Sequence, residues 1–133
     1  MRQFAGTYLF LFFSLTKLGA QETLLEESII NGKTIYSSFC ASCHMDDGMG
    51  VGRTFPPVAK TDFLINQRTE SIKAIKYGIQ GPIIVNGITY NSSMMSMGLK
   101  DQEIADVMNY MLNSWGNKDD DMVSAKEVAA IKK

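Results

Sequence analysis

Cys40-Ala41-Ser42-Cys43-His44 constrains this chain more than any other five residues. The pattern is C-x-x-C-H, the spacing of a c-type haem attachment site. Two thiols at that spacing lie on one face of a helical turn. There both can bond the vinyl groups along one side of a haem, and the adjacent histidine can reach the iron from one face of the ring. On that reading the hard chemistry belongs to the cofactor, and the protein supplies binding, orientation and electrostatics.

The rest of the composition narrows the alternatives. The chain has 133 residues, two Cys and one His, and all three sulfur and imidazole groups lie in the motif. A tetrahedral zinc site wants four ligands, usually Cys and His, and no further Cys or His exists to complete the set. A thioredoxin-type C-x-x-C would follow a strand at the start of a helix, and no such βαβ pattern is visible. A disulfide across two residues would be strained and would leave His44 unexplained.

The N-terminus suggests export. Arg2 gives a positive start, Gln3 to Thr16 carry no charge, and Tyr8-Leu9-Phe10-Leu11-Phe12-Phe13 is strongly apolar. Leu18-Gly19-Ala20 offers a small residue at a cleavage point before Gln21. The competing reading is a retained anchor. However, Lys17 closes an uncharged run of 14 residues, short of the ~20 needed to span a bilayer. No cysteine near Ala20 offers a lipid attachment site. Residues 1–20 are therefore expected to be a signal peptide, the protein to be exported and most simply periplasmic, with membrane association left open. Without residues 1–20, which hold Arg2, Lys17 and no acid, 11 Lys+Arg face 14 Asp+Glu, a formal charge of −3. No basic face suggests nucleic acid. The remaining length suits one domain with a modest core, over 21–116, followed by a tail over 117–133.

The elements are mostly helical. Glu26 to Phe39 reads as a helix leading into the motif, with Ile29, Gly32, Lys33 and Tyr36 at helical spacing and Ile30 and Phe39 near the same face. Gly32 costs about 1 kcal/mol inside a helix, which close approach by another helix would justify. Asp46 to Gly52 is a loop with three glycines in five residues, able to turn sharply or approach a flat cofactor. Phe55-Pro56-Pro57-Val58 is a stiff extended piece. Thr69 is a candidate N-cap for a helix through Tyr77, with Gly78 its stop. Asn86-Gly87 between the apolar runs at 83–90 predicts a two-residue β-hairpin. Asp101 to Trp115 predicts the last long helix, with Ile104, Val107, Met108, Met111, Leu112 and Trp115 as its apolar stripe and Gly116 as its stop. In the tail, Asp119-Asp120-Asp121 reads as solvated, and Ser124 with Glu127 has capping-box spacing.

His44 can fill one axial site of the iron, and with no second histidine in the chain a methionine is the expected alternative for the other. Of nine methionines, Met45 and Met49 lie too close to His44 to cross to the opposite face. Met1 belongs to the expected signal peptide, Met108 and Met111 to the helix stripe, and Met122 to the tail. Met94, Met95 and Met97 are left, in a loop before the last helix.

At this point the chain resembles a small class I bacterial cytochrome c, of the kind associated with quinoprotein dehydrogenases, terminal oxidases or nitrite reductases. The resemblance covers roughly residues 28–116. Its Gly-x-x-x-Tyr-x-x-x-Cys-x-x-Cys-His pattern is met by Gly32, Tyr36, Cys40, Cys43 and His44. It implies an all-α fold of about four helices around one haem. It implies that the glycine and the aromatic pack on the last helix near Val107 and Tyr110, and that the Pro56 carbonyl accepts a hydrogen bond from His44. Alignment on Tyr90-Asn91 selects Met94 as the sixth ligand, although Met95 and Ser96 stand where the family has two prolines. The usual Ser or Thr cap of the last helix is replaced by Lys100. The implied cofactor is one covalently attached haem c, bound by Cys40, Cys43, His44 and Met94. The implied function is one-electron transfer to redox partner proteins (a dehydrogenase, oxidase or reductase), as a carrier rather than an enzyme. The alternative is a haem-based gas sensor or small peroxidase with a labile sixth ligand. Arg53, Arg68 and Trp115 are the candidates for reaching haem propionates.

Overall fold

The computed structural model describes the backbone from residue 5 to 133 and side chains from residue 22. The signal peptide expected over 1–20 therefore lies outside the residues whose side chains are described. The elements in chain order are α1 (Ala5–Phe39), α2 (Ala41–His44), α3 (Asp62–Asn66), α4 (Arg68–Tyr77), a hairpin of β1 (Ile83–Val85) and β2 (Ile88–Tyr90), α5 (Asp101–Leu112) and α6 (Ala125–Ala130).

α1 packs on α5, and this pair is the frame of the molecule. The buried face of α1 is Ser28, Gly32 and Tyr36, whereas Ile30 is 69% exposed and Lys33 is exposed. The inward stripe thus steps by four residues, and Ile30 and Lys33 fall outside it. Gly32 sits where the two helices touch. A Cβ there would lie 2.0 Å from the Asp106 carbonyl oxygen and 2.8 Å from Tyr110 Cβ. Only glycine permits that approach, which accounts for a residue otherwise unfavourable in a helix. Val107, the other position implied by the resemblance, is fully buried. Below the contact, Tyr36, Tyr110 and Trp115 form a ring cluster with centroids 5.0–5.4 Å apart. Above it, Ser28 Oγ donates to Asp106 Oδ1 at 2.6 Å and Asn109 Nδ2 donates to Ser28 Oγ at 2.9 Å. Buried polar groups so paired avoid the penalty of unmet hydrogen bonds.

α5 begins where expected but ends at Leu112, three residues before Trp115. Trp115 has φ 53° and Asn117 Nδ2 donates to the Met111 carbonyl at 2.8 Å. The chain leaves the helix, and side-chain amides take over the carbonyls that a further turn would have satisfied. At the other end no Ser or Thr is needed: the Glu103 carboxylate accepts from the Lys100 N–H at 2.8 Å. Ser124 caps α6 by accepting from the Glu127 N–H at 3.2 Å.

Two helices start differently from expectation. α3, capped by Thr61, which accepts from the Leu64 N–H at 3.3 Å, has no counterpart in the sequence reading. α4 begins at Arg68, so Thr69 lies inside it rather than capping it. Gln67 serves as the last cap of α3 and the first cap of α4, and that single shared residue moves the start forward. The hairpin has the predicted turn: Asn86 and Gly87 both take positive φ, 50° and 75°, and Ile83 pairs with Tyr90.

The tail is not a loose appendage. Val123 and Val128 are fully buried against the α5 side of the core, each contributing about 1.5 kcal/mol or more. Arg68 grips Glu127 through two parallel bonds of 2.8 and 2.9 Å and also meets Asp119 and Asp121. Two acids of the run that reads as solvated are therefore engaged by Arg68.

Candidate functional site

The motif is delivered by geometry that the local sequence dictates. The Cys40 N–H bonds the Tyr36 carbonyl at 2.8 Å, so Cys40 continues the last turn of α1. The His44 N–H bonds the Cys40 carbonyl at 2.9 Å, closing the short turn of α2. Cys40 and Cys43 are free thiols, both half-buried. Cys40 is pushed up to about 11, by burial first and by the neighbouring Cys43 second. A redox-active C-x-x-C shows the opposite, a thiol held low so that the thiolate can attack.

His44 Nδ1 lies 2.9 Å from the Pro56 carbonyl oxygen. A carbonyl only accepts, so Nδ1 carries the proton and Nε2 holds a free lone pair. Burial lowers the pKa of the ring, partly opposed by the Pro56 bond, which favours the neutral imidazole that a metal requires. The Pro56 carbonyl is brought into place by the glycine loop. The Gly50 N–H bonds the His44 carbonyl at 2.9 Å, and a Cβ on Gly50 would fall 2.3 Å from the Phe55 oxygen and 2.6 Å from the Pro56 oxygen. The close approach expected of this loop is thus to its own returning backbone.

These groups wall one cavity of about 320 Å³. Cys40, Cys43, His44 and Pro56 line it, together with Phe39, Phe55, Pro57, Val58, Leu64, Ile75, Ile79, Val85, Leu99 and Met111. Met94, Met95 and Met97 line it too, so all five sequence-predicted site residues are brought together. Of the three methionines, Met94 packs against the core, while Met95 is 76% and Met97 36% exposed. The polar lining consists of hydroxyls such as Thr54, Tyr90, Ser92 and Ser93; among the described residues no Lys, Arg, Asp or Glu lines the cavity. Of the propionate candidates, Arg68 is held by Glu127, Trp115 Nε1 donates to the Asp46 carbonyl at 2.9 Å, and Arg53 is exposed outside the lining.

The fit to a flat apolar ring with one metal is good on the chemistry of the donors. An imidazole with its second nitrogen free, thioethers and two thiols lining the same cavity, and apolar walls around them are what such a group needs. Sequence reasoning missed the residues that hold the methionine loop, Lys76, Gly78, Ile79 and Ser96. The only signal for them was Gly78 as a helix stop.

The chain is similar to known proteins over most of its length. The sequence profile of the family described as Cytochrome c matches residues 29–115. Cytochrome c-552 of Thermus thermophilus is 40% identical over 92 residues, covering 65% of this chain and 70% of that protein. The cytochrome c subunit of the quinone alcohol dehydrogenase of Gluconobacter oxydans (strain 621H) is 35% identical over 105 residues, 76% of this chain but 22% of the subunit. The gluconate 2-dehydrogenase cytochrome c subunit of Pantoea cypripedii is 31% identical over 106 residues, 77% of this chain and 24% of the subunit. The chain thus spans about a quarter or less of those dehydrogenase subunits.

Proposed function

We propose that this chain, which belongs to the cytochrome c family of electron-transfer proteins, is an exported one-electron carrier with a single haem c held between His44 and Met94. The observation that carries the reading is the shared cleft. A histidine with Nδ1 committed to Pro56 and a core-packed methionine line the same apolar cavity as Cys40 and Cys43.

In this role Cys40 and Cys43 would hold the group as thioethers at the junction of α1 and α2. His44 would ligate through Nε2, and the Pro56 carbonyl, 2.9 Å from Nδ1, would hold the imidazole plane and raise its basicity. Met94 would supply a soft thioether sulfur, which favours the reduced metal and raises the potential. The bound group supplies one-electron exchange between ferric and ferrous iron. The apolar walls from Phe55, Val58, Leu64 and Ile75 exclude water and limit reorganisation when the charge changes. With His44 and Met94 both serving as ligands, the chain would leave no position for a substrate on the metal.

The dehydrogenase subunits among the relatives support a dehydrogenase or another respiratory oxidoreductase as partner. Export is supported by the leader pattern of residues 1–20, with the periplasm as the fitting compartment. Among the described residues no helix is long and apolar enough to cross a membrane.

The test is the absorption spectrum of the purified ferric protein. A low-spin spectrum with the sulfur-to-iron charge-transfer band is expected. A high-spin spectrum without it would establish an open sixth position, the geometry of a sensor or small peroxidase.

A further inference from the structure

We infer that the C-terminal end of α4 selects which of the three clustered methionines faces His44, with Gly78, Ile79 and Ser96 acting as positioning residues for Met94. This rests on the reading of Met94 as the sixth ligand.

Met94-Met95-Ser96-Met97 places three equivalent thioethers in four residues, with no proline to stiffen them. Left to itself such a loop could offer any of the three. The structure removes the choice by pairing the loop with α4. The Ile79 N–H donates to the Met94 carbonyl at 2.8 Å, and the Met94 N–H donates to the Ile79 carbonyl at 2.9 Å. This is a closed antiparallel pair outside the hairpin. Successive side chains on extended backbone point to opposite sides, so fixing Met94 toward the core sends Met95 outward, where it is 76% exposed. Two residues on, Ser96 Oγ donates to the Lys76 carbonyl at 2.8 Å. Between these two fastenings the loop lies directly on Gly78, which has φ 79°; a Cβ there would fall 2.7 Å from the Met94 oxygen and 3.0 Å from the Ser96 nitrogen. The missing stiffness of the prolines is supplied by hydrogen bonds to a neighbouring element.

That element is itself anchored. Lys76 Nζ donates to the Val128 carbonyl at 2.7 Å and pairs with Asp101 Oδ1 at 3.0 Å, and the Tyr77 hydroxyl donates to the Ile131 carbonyl at 2.9 Å. The seat of the methionine loop is therefore tied to the start of α5 and to the tail.

The experiment titrates the ferric holoprotein with imidazole as a competitor for the sixth position, alongside the reduction potential, the sulfur-to-iron band and the urea midpoint. Ser96→Ala is expected to bind imidazole about fivefold more tightly, the worth of one ordinary hydrogen bond. Ser96→Thr keeps the hydroxyl and should restore the wild-type value. Gly78→Ala should give a larger shift and a lower potential. Ser114→Ala loses a similar bond, Ser114 Oγ to the Tyr110 carbonyl at 2.6 Å, away from the loop, and should leave imidazole affinity unchanged. If Gly78→Ala yields no folded holoprotein, the Ser96 pair decides alone. Wild-type affinity and potential in Ser96→Ala, or an equal shift in Ser114→Ala, overturn the inference. A Met94→Ala protein that keeps the sulfur band overturns the reading of the sixth ligand instead; one that loses it while Ser96→Ala behaves as wild type overturns only the selection by α4.

Discussion

The wall of the cleft that carries Cys40, Cys43 and His44 and the wall that carries Met94 differ in how far their supports lie along the chain. On the first, Cys40 is fixed by Tyr36 and His44 by Cys40, and the most distant direct hydrogen-bond partner of these residues is Pro56, twelve residues on. On the second, Met94 is fixed by Ile79, Ser96 by Lys76 twenty residues away, and Lys76 by Val128 a further 52 away. A support made within one turn forms whenever that turn forms. A support made across the fold exists only once α4, α5 and the tail have docked, because the loops between must first be closed. The motif wall is accordingly held directly by near partners and the methionine wall by distant ones.

Four experiments break or sharpen that contrast, beginning with the largest effect. Cys40→Ser or Cys43→Ser should abolish or severely reduce covalent haem, read as haem stain on a denaturing gel; full retention in both single variants would refute the thioether assignment. Met94→Ala should lose the sulfur-to-iron band and lower the potential by about 0.1 V or more, within the ~0.8 V that axial ligands span, while Met95→Ala and Met97→Ala leave both nearly unchanged. A loss in Met97→Ala in place of Met94→Ala would show that the loop is not registered by Ile79. Gly32→Ala should cost about 3 kcal/mol, since the Asp106 carbonyl and Tyr110 Cβ occupy the space of the added methyl and overpacking of backbone against backbone has no cheap relief. Its urea midpoint should fall while the sulfur band of the folded fraction is retained.

The smallest effect lies at the far support of the methionine wall. The Arg68 guanidinium, by its paired hydrogen bonds first, holds the Glu127 carboxyl below the usual glutamate range, partly opposed by burial. The ionised pair thus stabilises the folded state above the ordinary carboxylate pKa, and the contribution is lost as pH falls through the lowered folded-state value. Glu127→Gln should cost about 1 kcal/mol at neutral pH. The gap from wild type should close in acid, measured as urea midpoints across pH 7 to 3; a gap independent of pH would mean packing, not charge, holds α6.

The contrast also explains what could be read in the chain. The motif, the Asn86-Gly87 hairpin, the α5 stripe from Ile104 to Leu112 and the Ser124 cap are local patterns, and each forms as its residues predict. The mismatches involve partners that are shared, distant or just past a helix end. Thr69 is no cap because Gln67 serves two helices. α5 stops at Leu112 because the side chains of Asn113 and Asn117 capture carbonyls. Asp119 and Asp121 meet Arg68 from 51 and 53 residues away.

By itself the sequence determined the haem-attachment turn, the helix that delivers it and the glycine through which that helix meets α5, because each rests on spacing within a few residues or on a steric demand that only one residue type satisfies. It narrowed the proposed second axial ligand to Met94, Met95 and Met97. Tertiary structure alone turned Met94 toward the core and Met95 to solvent, because the two hydrogen bonds to Ile79 and the seat on Gly78 exist only after segments far apart in the chain have met.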